Sequence, residues 1–314
     1  MPMNTAKSLH TLNGPVEVAS LGLALPHEHL FTDLRGPFDS KYAQADPSAV
    51  AKVVKPYLDQ LVEIGVTALV ECSTVGVGRN LSVLRKLQEI TSMHIVAPTG
   101  VYRDAYIPAA LREITRDDLA DLWTRELTEG IEGTRIRAGF IKLAVSDEGL
   151  TELEIRNLRA AAKASLRTGA VIAVHTIGGD SARKEMDILE REGLSLDRYI
   201  WVHAQTEPDA SLLVEAARRG AYVELDTVGA PFQSQPELLE TALKVIQAGH
   251  IERLLLSHDA GWYDPSTSGG RPKDGYRGYT ALVKDFIPSM LQRGISEEQV
   301  RQITARNPAR AFAF

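Results

Sequence analysis

Cysteine is almost absent from this sequence of 314 residues, and Cys72 is its single example. One cysteine excludes an internal disulfide, and the lack of a disulfide framework is typical of a reducing compartment. We interpret Cys72 as a small buried hydrophobic side chain at a strand end. The first 18 residues also lack the apolar core of about 7–15 residues that a signal peptide needs. We therefore expect a cytoplasmic protein.

Long hydrophobic runs and an excess of positive charge are missing as well. No stretch approaches the roughly 20 apolar residues that cross a bilayer, so we expect no membrane partner. The formal net charge is −6, with 35 Lys and Arg against 41 Asp and Glu. This balance argues against a nucleic-acid partner. The expected partner is a small-molecule substrate.

Low-complexity linkers are absent too, so we expect one domain over residues 1–314, a common length for a single α/β barrel. Short apolar runs alternate with amphipathic stretches along the whole chain. The eight runs predicted as strands are Ala24–His29, Val66–Cys72, His94–Gly100, Gly139–Ala144, Ala170–His175, Tyr199–His203, Ala221–Asp226 and Arg253–Asp259. They are apolar almost throughout, as a parallel sheet covered on both faces requires.

Helical patterns fill the intervals between these strands. Leu158, Ala162 and Leu166 predict one apolar helix face, and Asp180 and Ser234 are predicted N-caps. The glycines predicted to close helices in the left-handed conformation are Gly65, Gly169, Gly193, Gly220 and Gly249. Eight strand-then-helix units predict an α/β fold, a single (β/α)8 TIM barrel with a short N-terminal extension. An open doubly wound sheet is the alternative, but no glycine-rich phosphate fingerprint follows the first strand.

Histidines lie at the carboxyl ends of the predicted strands, where a TIM barrel holds its active site. His27 and His29 are two residues apart on one strand, so both side chains face the barrel mouth and can bind one divalent ion. His175, His203 and Asp259 end three later strands. Any one of these histidines alone could be a hydrogen-bonded structural residue. The shared position of all five residues predicts a metal site.

The other histidines provide a contrast. His10 lies in the N-terminal segment, and His94 and His250 lie at or before strand starts, at the opposite end of the barrel. His258 is next to Asp259, but strand alternation points it the other way. We interpret His258 as structural or supporting, with a functional role as the alternative.

Lys142 lies inside the apolar run GFIKLA, where a buried ammonium is costly unless it is neutralised or used. Reaction of its amine with carbon dioxide would give a carbamate with two oxygens, one for each of two metals. Two alternatives stay open: the side chain extends to solvent at the barrel mouth, or it forms a Schiff base. A Schiff-base lysine would not need four histidines around it.

The motifs PHEHL at 26–30, GFIKLA around Lys142, GAVIAVHT around His175, VHA around His203 and LLLSHD around Asp259 resemble the phosphotriesterase family of the amidohydrolase superfamily. This family includes phosphotriesterase-like lactonases and phosphotriesterase-related proteins. The flanking segments STVGVGRN, TGVY, REGLSLDR and NPARAF extend the resemblance over nearly the whole chain. It implies a TIM barrel with two divalent metals, usually zinc but also manganese, cobalt or iron, and a homodimer.

The resemblance also implies residue roles. The two first-strand histidines and Asp259 would bind the buried metal, His175 and His203 the exposed one, and carboxylated Lys142 would bridge them. A hydroxide shared by two metals is a strong nucleophile at neutral pH, and Asp259 can take its proton during attack. Tyr102 matches a tyrosine that family lactonases place beside this hydroxide; an aromatic plug at the barrel mouth is the alternative interpretation.

Two departures from the family pattern concern the substrate. Phosphotriesterases relay the proton through a histidine after strand 7 and an acid shortly after the strand-6 histidine. Here Thr227 and Thr206 stand at these positions, with Glu207 next. The arginine that many acyl-lactone-type lactonases carry at strand 7 is also missing. The departures favour a substrate that needs no long proton relay.

The loop after the last strand, 262–275, mixes aromatic and cationic side chains that could recognise a carboxylate or phosphate. From it we take Trp262, Tyr263 and Arg271 as candidate substrate-binding residues, together with Thr227; a solvated loop is the alternative. We expect a lactonase or other carboxylic-ester hydrolase with weak phosphotriesterase activity. The alternatives are an organophosphate triester hydrolase, an amidase acting on N-acyl amino acids, and a non-catalytic binding barrel, which the complete ligand set disfavours.

Overall fold

The computed structural model describes residues 7–273 and 275–314, so residues 1–6 and Asp274 of the predicted substrate loop lie outside the described residues. The strands are β1 Ser8–Thr11, β2 Gly14–Glu17, β3 Leu23–Phe31, β4 Val66–Glu71, β5 His94–Val96, β6 Pro98–Val101, β7 Phe140–Ala144, β8 Ile172–His175, β9 Tyr199–Val202, β10 Tyr222–Leu225, β11 Leu254–Leu256 and β12 Gly261–Tyr263.

Helices follow the barrel strands, as the sequence predicts. They are α1 Pro47–Glu63, α2 Leu81–Gln88, α3 Ala109–Arg112, α4 Arg116–Thr128, α5 Glu152–Thr168, α6 Gly179–Arg191, α7 Ala210–Arg218, α8 Gln235–Gln247, α9 Ile287–Gln292, α10 Glu297–Arg301 and α11 Asn307–Phe312. The π-helical turns Leu282–Phe286 and Gln302–Arg306 precede α9 and α11. In the described part of the chain, none of the helices has the length and apolar character to cross a membrane.

Parallel strands form the barrel wall in two sheets, ordered β11-β10-β9-β8-β7-β6 and β12-β3-β4-β5. The third and eighth barrel strands are each interrupted, by one residue between β5 and β6 and by residues 257–260 between β11 and β12. The segment β12 lies beyond the eighth predicted strand, which ended at Asp259. The two halves of each interrupted strand pair with different sheets, which closes the (β/α)8 barrel. Main-chain hydrogen bonds span the second interruption, from Asp259 N–H to the His27 carbonyl at 3.2 Å and from His29 N–H to the Ala260 carbonyl at 2.9 Å.

The N-terminal extension is a hairpin of β1 and β2 that covers the amino-terminal end of the barrel. Ser8 exchanges main-chain hydrogen bonds with Phe314, and Leu12 N–H donates to the Ile95 carbonyl at 2.9 Å. Leu9 is buried in the apolar cluster inside the barrel. Because this end is packed shut, the open end of the barrel is the one formed by the carboxyl ends of the strands.

Most of the predicted helix ends are confirmed. The five glycines predicted to close helices all have positive φ, between 84° and 105°, and Ser234 caps α8 by accepting the Glu237 N–H. The prediction for Asp180 was wrong, because the N-cap of α6 is Gly178 and Asp180 lies in the first turn. Leu166 was also misplaced and is 54% exposed. Half of the buried residues of α5 are alanines, whose small side chains allow close packing on the barrel.

Candidate metal centre

Polar side chains converge at the carboxyl end of the barrel around a cavity of about 170 Å³. The predicted metal-site and catalytic residues that line it are His27, His29, Tyr102, Lys142, His175, His203 and Asp259. They come from six of the eight barrel strands. Distant parts of the sequence therefore meet at one place, at the end of the barrel that the sequence predicts.

Asp259 meets the two histidines of β3. Its Oδ1 lies 3.1 Å from His29 Nε2 and 3.5 Å from His27 Nε2. This oxygen is buried and accepts no hydrogen bond from the described residues. Two ligand atoms that share one tetrahedral zinc ion, each about 2.0–2.1 Å from the metal, lie about 3.3 Å apart. The three atoms therefore have the spacing that one divalent ion requires.

His175 and His203 form a second pair of potential ligands. His175 Nδ1 lies 2.7 Å from His203 Nε2, and His203 has a left-handed φ of 64° immediately after β9. Burial holds the pKa of His175 well below its ordinary value, and the neighbouring His203 and Lys142 lower this pKa further. His175 is therefore neutral and offers a lone pair, as a metal ligand must. The pair can hold a second ion beside the first group.

Lys142 projects from β7 into the same cavity and is 2% exposed. Within the described residues, its hydrogen bond goes to the main-chain carbonyl of Leu143 at 3.3 Å. Burial lowers the pKa of the Lys142 amine, although neighbouring Cys72 and Glu224 partly oppose this effect. The neutral amine is the form that reacts with carbon dioxide, so the environment suits the predicted carbamate.

Two acids behind the cavity orient the histidine rings. Asp226 Oδ1 lies 2.8 Å from His203 Nδ1, and Asp226 Oδ2 accepts the His203 main-chain N–H at 2.9 Å. His27 Nδ1 lies 3.3 Å from Glu224 Oε2 and 3.4 Å from Asp226 Oδ2. A hydrogen bond at Nδ1 fixes the tautomer and leaves the Nε2 lone pair free for a metal. Neither acid lines the cavity, so both support the ligands from outside.

These supporting residues were not among the predicted site residues. Glu224 and Asp226 are charged residues in an otherwise apolar strand, which is the signal that singled out Lys142, so the same reasoning could have found them. Ser73 was also missed, and its Oγ lies 2.7 Å from His29 Nδ1. A serine after a strand gives no comparable signal, because serine is common at such positions.

Tyr102 and Trp262 both line this cavity, and each side chain carries a hydrogen-bond donor. Tyr102 Oη lies 3.4 Å from His175 Nδ1, and burial raises the pKa of the Tyr102 phenol, so it stays protonated and can donate. The Trp262 ring contacts His29 edge-on, with the ring centres 5.6 Å apart. The Trp262 indole N–H is buried and has no partner among the described residues, so it can donate to a bound molecule.

Three of the candidate substrate-binding residues do not reach the cavity. Tyr263 follows Trp262, whose backbone has a left-handed φ of 71°, and its ring stacks on Phe31 with the ring centres 6.0 Å apart. Arg271 and Tyr263 line a separate surface depression against α1. Thr227 lies off the cavity with its Oγ1 3.5 Å from the Gln233 side-chain oxygen.

The positions that replace the proton relay hold no free acid. Thr206 donates its hydroxyl to the His203 carbonyl at 2.7 Å. The Glu207 carboxylate accepts the main-chain N–H of Gly179 and of Asp209, each at 2.8 Å. Glu207 therefore stabilises the starts of two neighbouring helices and does not face the cavity.

The remaining predicted structural histidines lie where the sequence suggested. His258 is fully buried, with Nδ1 2.5 Å from Glu28 Oε1 and with Nε2 accepting the Leu282 main-chain N–H at 2.9 Å. Both ring nitrogens are thus used in the core. His94 begins β5 and His250 precedes β11, so both lie at the amino-terminal end of the barrel.

Comparison with known proteins agrees with this arrangement. The model of the phosphotriesterase family matches residues 7–312. An aryldialkylphosphatase of Saccharolobus solfataricus is 28% identical over 95% of this chain and 97% of its own length. An N-acetyltaurine hydrolase of Danio rerio is 28% identical over 98% of each chain. A mutant phosphotriesterase-like lactonase of Deinococcus radiodurans has a TM-score of 0.88 at 30% identity, covering 97% of this chain and 100% of that one.

Proposed function

The chain belongs to the phosphotriesterase family, and we propose that it is a lactonase, a metal-dependent hydrolase of carboxylic esters with weak activity on phosphotriesters. The observation that carries the proposal is the absence of a free acid at the two relay positions in the described part of the chain. Thr206 and Thr227 are neutral, and Glu207 is held by two main-chain N–H groups. This arrangement favours a reaction in which the proton travels a short way.

We assign two divalent ions to the cavity. The proposed ligands form two groups, His27, His29 and Asp259 for one ion and His175 and His203 for the other. A carbamate on Lys142 would bridge the two groups. Imidazole and carboxylate ligands at these spacings suit zinc, with manganese, cobalt or iron as alternatives. When bound, such ions lower the pKa of water and polarise the carbonyl oxygen of a substrate.

Asp259 and Tyr102 are the proposed catalytic residues. The Asp259 carboxylate accepts the proton of the attacking water and returns it to the ester oxygen as the carbon–oxygen bond breaks. In a lactone this leaving oxygen stays tethered to the acyl group, so it remains within reach of Asp259. The protonated Tyr102 phenol donates a hydrogen bond to a substrate oxygen and so orients the substrate.

Two other substrate classes have specific support. The Saccharolobus solfataricus relative is an aryldialkylphosphatase, which makes organophosphate triester hydrolysis the first alternative. The Danio rerio relative is an N-acetyltaurine hydrolase, which supports amide hydrolysis of N-acylated acids. A non-catalytic binding barrel is the least favoured alternative, because all six candidate metal-binding side chains line one cavity.

A hydrolysis screen of the metal-loaded protein tests the proposal directly. A pH indicator reports the acid released from lactones, esters and triesters, and an assay for free amine reports hydrolysis of N-acyl amino acids, because their amine product takes up the released proton. The panel contains lactones, open-chain esters, N-acyl amino acids and a paraoxon-like triester. We expect the highest kcat/KM for a lactone or ester. A highest value for the triester or for an N-acyl amino acid would replace the proposal with that alternative, and no hydrolysis by protein with two bound metals would favour the binding barrel.

A further inference from the structure

Arg103 lies at the mouth of the metal-site cavity, and the reaction proposed above gives it no role. Besides Lys142, it is the one lysine or arginine among the described residues that line the cavity. A carbamate on Lys142 would carry negative charge. Arg103 would then be the one cationic lysine or arginine side chain that this part of the chain offers to a substrate.

Aromatic rings and an anchored loop hold the Arg103 guanidinium in place. Its central carbon lies 5.8 Å from the ring centre of Tyr102 and 5.9 Å from that of Tyr106, within the range of cation–π attraction. The next residue, Asp104, donates its main-chain N–H to Glu154 Oε1 at 2.9 Å. A guanidinium that is already ordered loses less conformational entropy when it binds a ligand.

Arg103 pairs with Asp147, and this contact leaves most N–H donors of the Arg103 guanidinium unused. Nη1 lies 3.0 Å from Asp147 Oδ2, and the described residues offer an acceptor to no other nitrogen of this guanidinium. Asp147 is 48% exposed and Arg103 is 31% exposed, so the ion pair is weak and exchanges readily. The planar fork of arginine suits a carboxylate or a similar oxyanion.

The cavity itself limits the size and chemistry of the ligand. Its volume of about 170 Å³ is below the roughly 300–1,000 Å³ of sites for drug-sized ligands. The indole N–H of Trp262 lines the same cavity and is buried without a partner among the described residues. A compact ligand with several acceptor oxygens would satisfy both this donor and Arg103.

We propose that Arg103 is a specificity-determining residue that binds a carboxylate of the substrate, so that the preferred substrate is a compact lactone or ester with a second, acidic group. The identification of the substrate as a lactone or ester rests on the function proposed above. The reacting carbonyl lies at the metal ligands, and the carboxylate lies at the rim beside Tyr102 and Tyr106.

Two lactones of nearly equal size test this directly. In γ-valerolactone a methyl group occupies the ring position that carries a carboxylate in the γ-lactone of 2-hydroxyglutarate. We expect the metal-loaded enzyme to favour the acidic lactone by about 30-fold in kcat/KM, mainly through KM, as a charge-assisted hydrogen bond allows. Arg103→Gln should reduce this preference to about threefold or less, because kcat/KM falls much more for the acidic lactone than for γ-valerolactone.

Arg112→Gln is the matched control, because Arg112, at the end of α3, pairs with Asp104 at 2.8 Å and is not among the described residues that line the cavity. It should keep the preference. Calorimetric titration with 2-hydroxyglutarate provides a readout that needs no turnover, with binding weakened at least tenfold by Arg103→Gln and unchanged by Arg112→Gln. Equal rates for the two lactones, or equal binding by wild type and Arg103→Gln, would overturn the inference. If neither lactone is hydrolysed, the substrate panel described above decides the hydrolytic proposal, and the titration decides the role of Arg103 separately.

Discussion

Asp226 holds His203 at two points, through a contact of 2.8 Å to the ring Nδ1 and a hydrogen bond of 2.9 Å from the main-chain N–H. Both Asp226 oxygens are therefore used. His203 directly follows β9 and has a left-handed backbone conformation. Burial alone would raise the pKa of the Asp226 carboxyl, but His203 and His27 hold this pKa well below its ordinary range. A permanent carboxylate at this position keeps the Nε2 atoms of two histidines turned to the cavity.

Asp226→Asn should therefore weaken metal binding and reduce kcat/KM by about 10–100-fold, the usual effect of removing a partner of a metal-binding histidine. The asparagine amide oxygen can accept one of the two His203 hydrogen bonds. The asparagine NH2 group would then face the other His203 donor, with which it cannot form a hydrogen bond. The metal content after dialysis and kcat/KM at saturating metal measure the two effects separately.

Asp209→Asn is the matched control, since this aspartate caps α7 at the surface and should alter neither quantity by more than about twofold. If Asp226→Asn retained both metals and the wild-type turnover, Asp226 would have no role in orienting the ligands.

Lys142→Ala should lose one of the two metals and most activity, because the proposed bridge between the two ligand groups is removed. Acetate or formate at high concentration should restore part of the activity, since a short carboxylate can occupy the space of the carbamate. The apoprotein of the wild type should also recover activity more slowly in buffer depleted of carbon dioxide. Metal content and turnover, with and without carboxylate, are the measurements.

The control for this variant is Lys184→Ala, which changes an exposed lysine on α6 and should behave as wild type. Full activity and two bound metals in Lys142→Ala would refute the bridging role. A variant that is inactive, keeps two metals and ignores added carboxylate would instead favour a Schiff-base lysine.

The sequence predicts the barrel and the position of its ligands because both follow from local patterns. Apolar strands, closing glycines and polar residues at strand ends are visible without tertiary contacts. The interruption of strand 8 is not visible in this way. Asp259 adopts a left-handed φ of 48° there, and such a conformation in a non-glycine residue is maintained by the surrounding structure. The alternation of side-chain directions along a strand does not continue through Asp259, so the sequence cannot predict where the side chains on either side of it point.

Side-chain direction in loops was the part that the sequence could not predict. Glu207 stands close to His203 in sequence, yet the N–H groups at the start of α6 and α7 bind its carboxylate, and the first of these belongs to the preceding strand–helix unit. Tyr263 and Arg271 belong to the predicted substrate loop but face α1 instead. Arg103, which does line the cavity, occupies an ordinary loop position with no distinguishing pattern. These outcomes depend on contacts between units that are distant in sequence.

Glu185 provides a prediction about stability and pH. It is fully buried beneath Thr176 and Tyr199, whose hydroxyls donate to its carboxylate. Burial raises the pKa of Glu185 to about 8, although these two hydrogen bonds oppose the rise. In the unfolded chain this carboxyl titrates near its ordinary pKa of 4.5. Between these two values the unfolded state binds fewer protons than the folded state, so the free energy of unfolding falls as pH rises.

Glu185→Gln should remove this dependence, because glutamine resembles the protonated acid at every pH. The Tm of the variant minus that of the wild type should increase from about pH 5 to pH 8 and then stay constant. Any loss of metal at low pH affects both proteins and cancels in the difference. Glu148→Gln, an exposed position, should give no such trend. A Tm difference that stays flat or falls over this range would show that Glu185 is ionised in the folded protein.

Lactone and triester hydrolysis differ in how far the released proton must travel. Hydrolysis of a triester expels an alkoxide or phenoxide and leaves a proton that must be carried to bulk water. Thr206 and Thr227 cannot carry it, and the Glu207 carboxylate is bound to two main-chain N–H groups. A lactone makes a smaller demand, because Asp259 can protonate a leaving oxygen that stays tethered beside it.

We therefore expect kcat/KM to favour the best lactone or ester over a paraoxon-like triester by about a hundredfold or more. A hundredfold preference corresponds to about 2.7 kcal/mol of transition-state stabilisation, which one missing proton relay can account for. Side-by-side kinetics at equal metal loading measure the ratio. Thr227→His and Thr206→Asp, made together, rebuild the relay and should raise the triester rate more than the lactone rate. A wild-type triester rate equal to the best lactone rate would show that Asp259 releases its proton without a relay, and would make triester hydrolysis the assigned function.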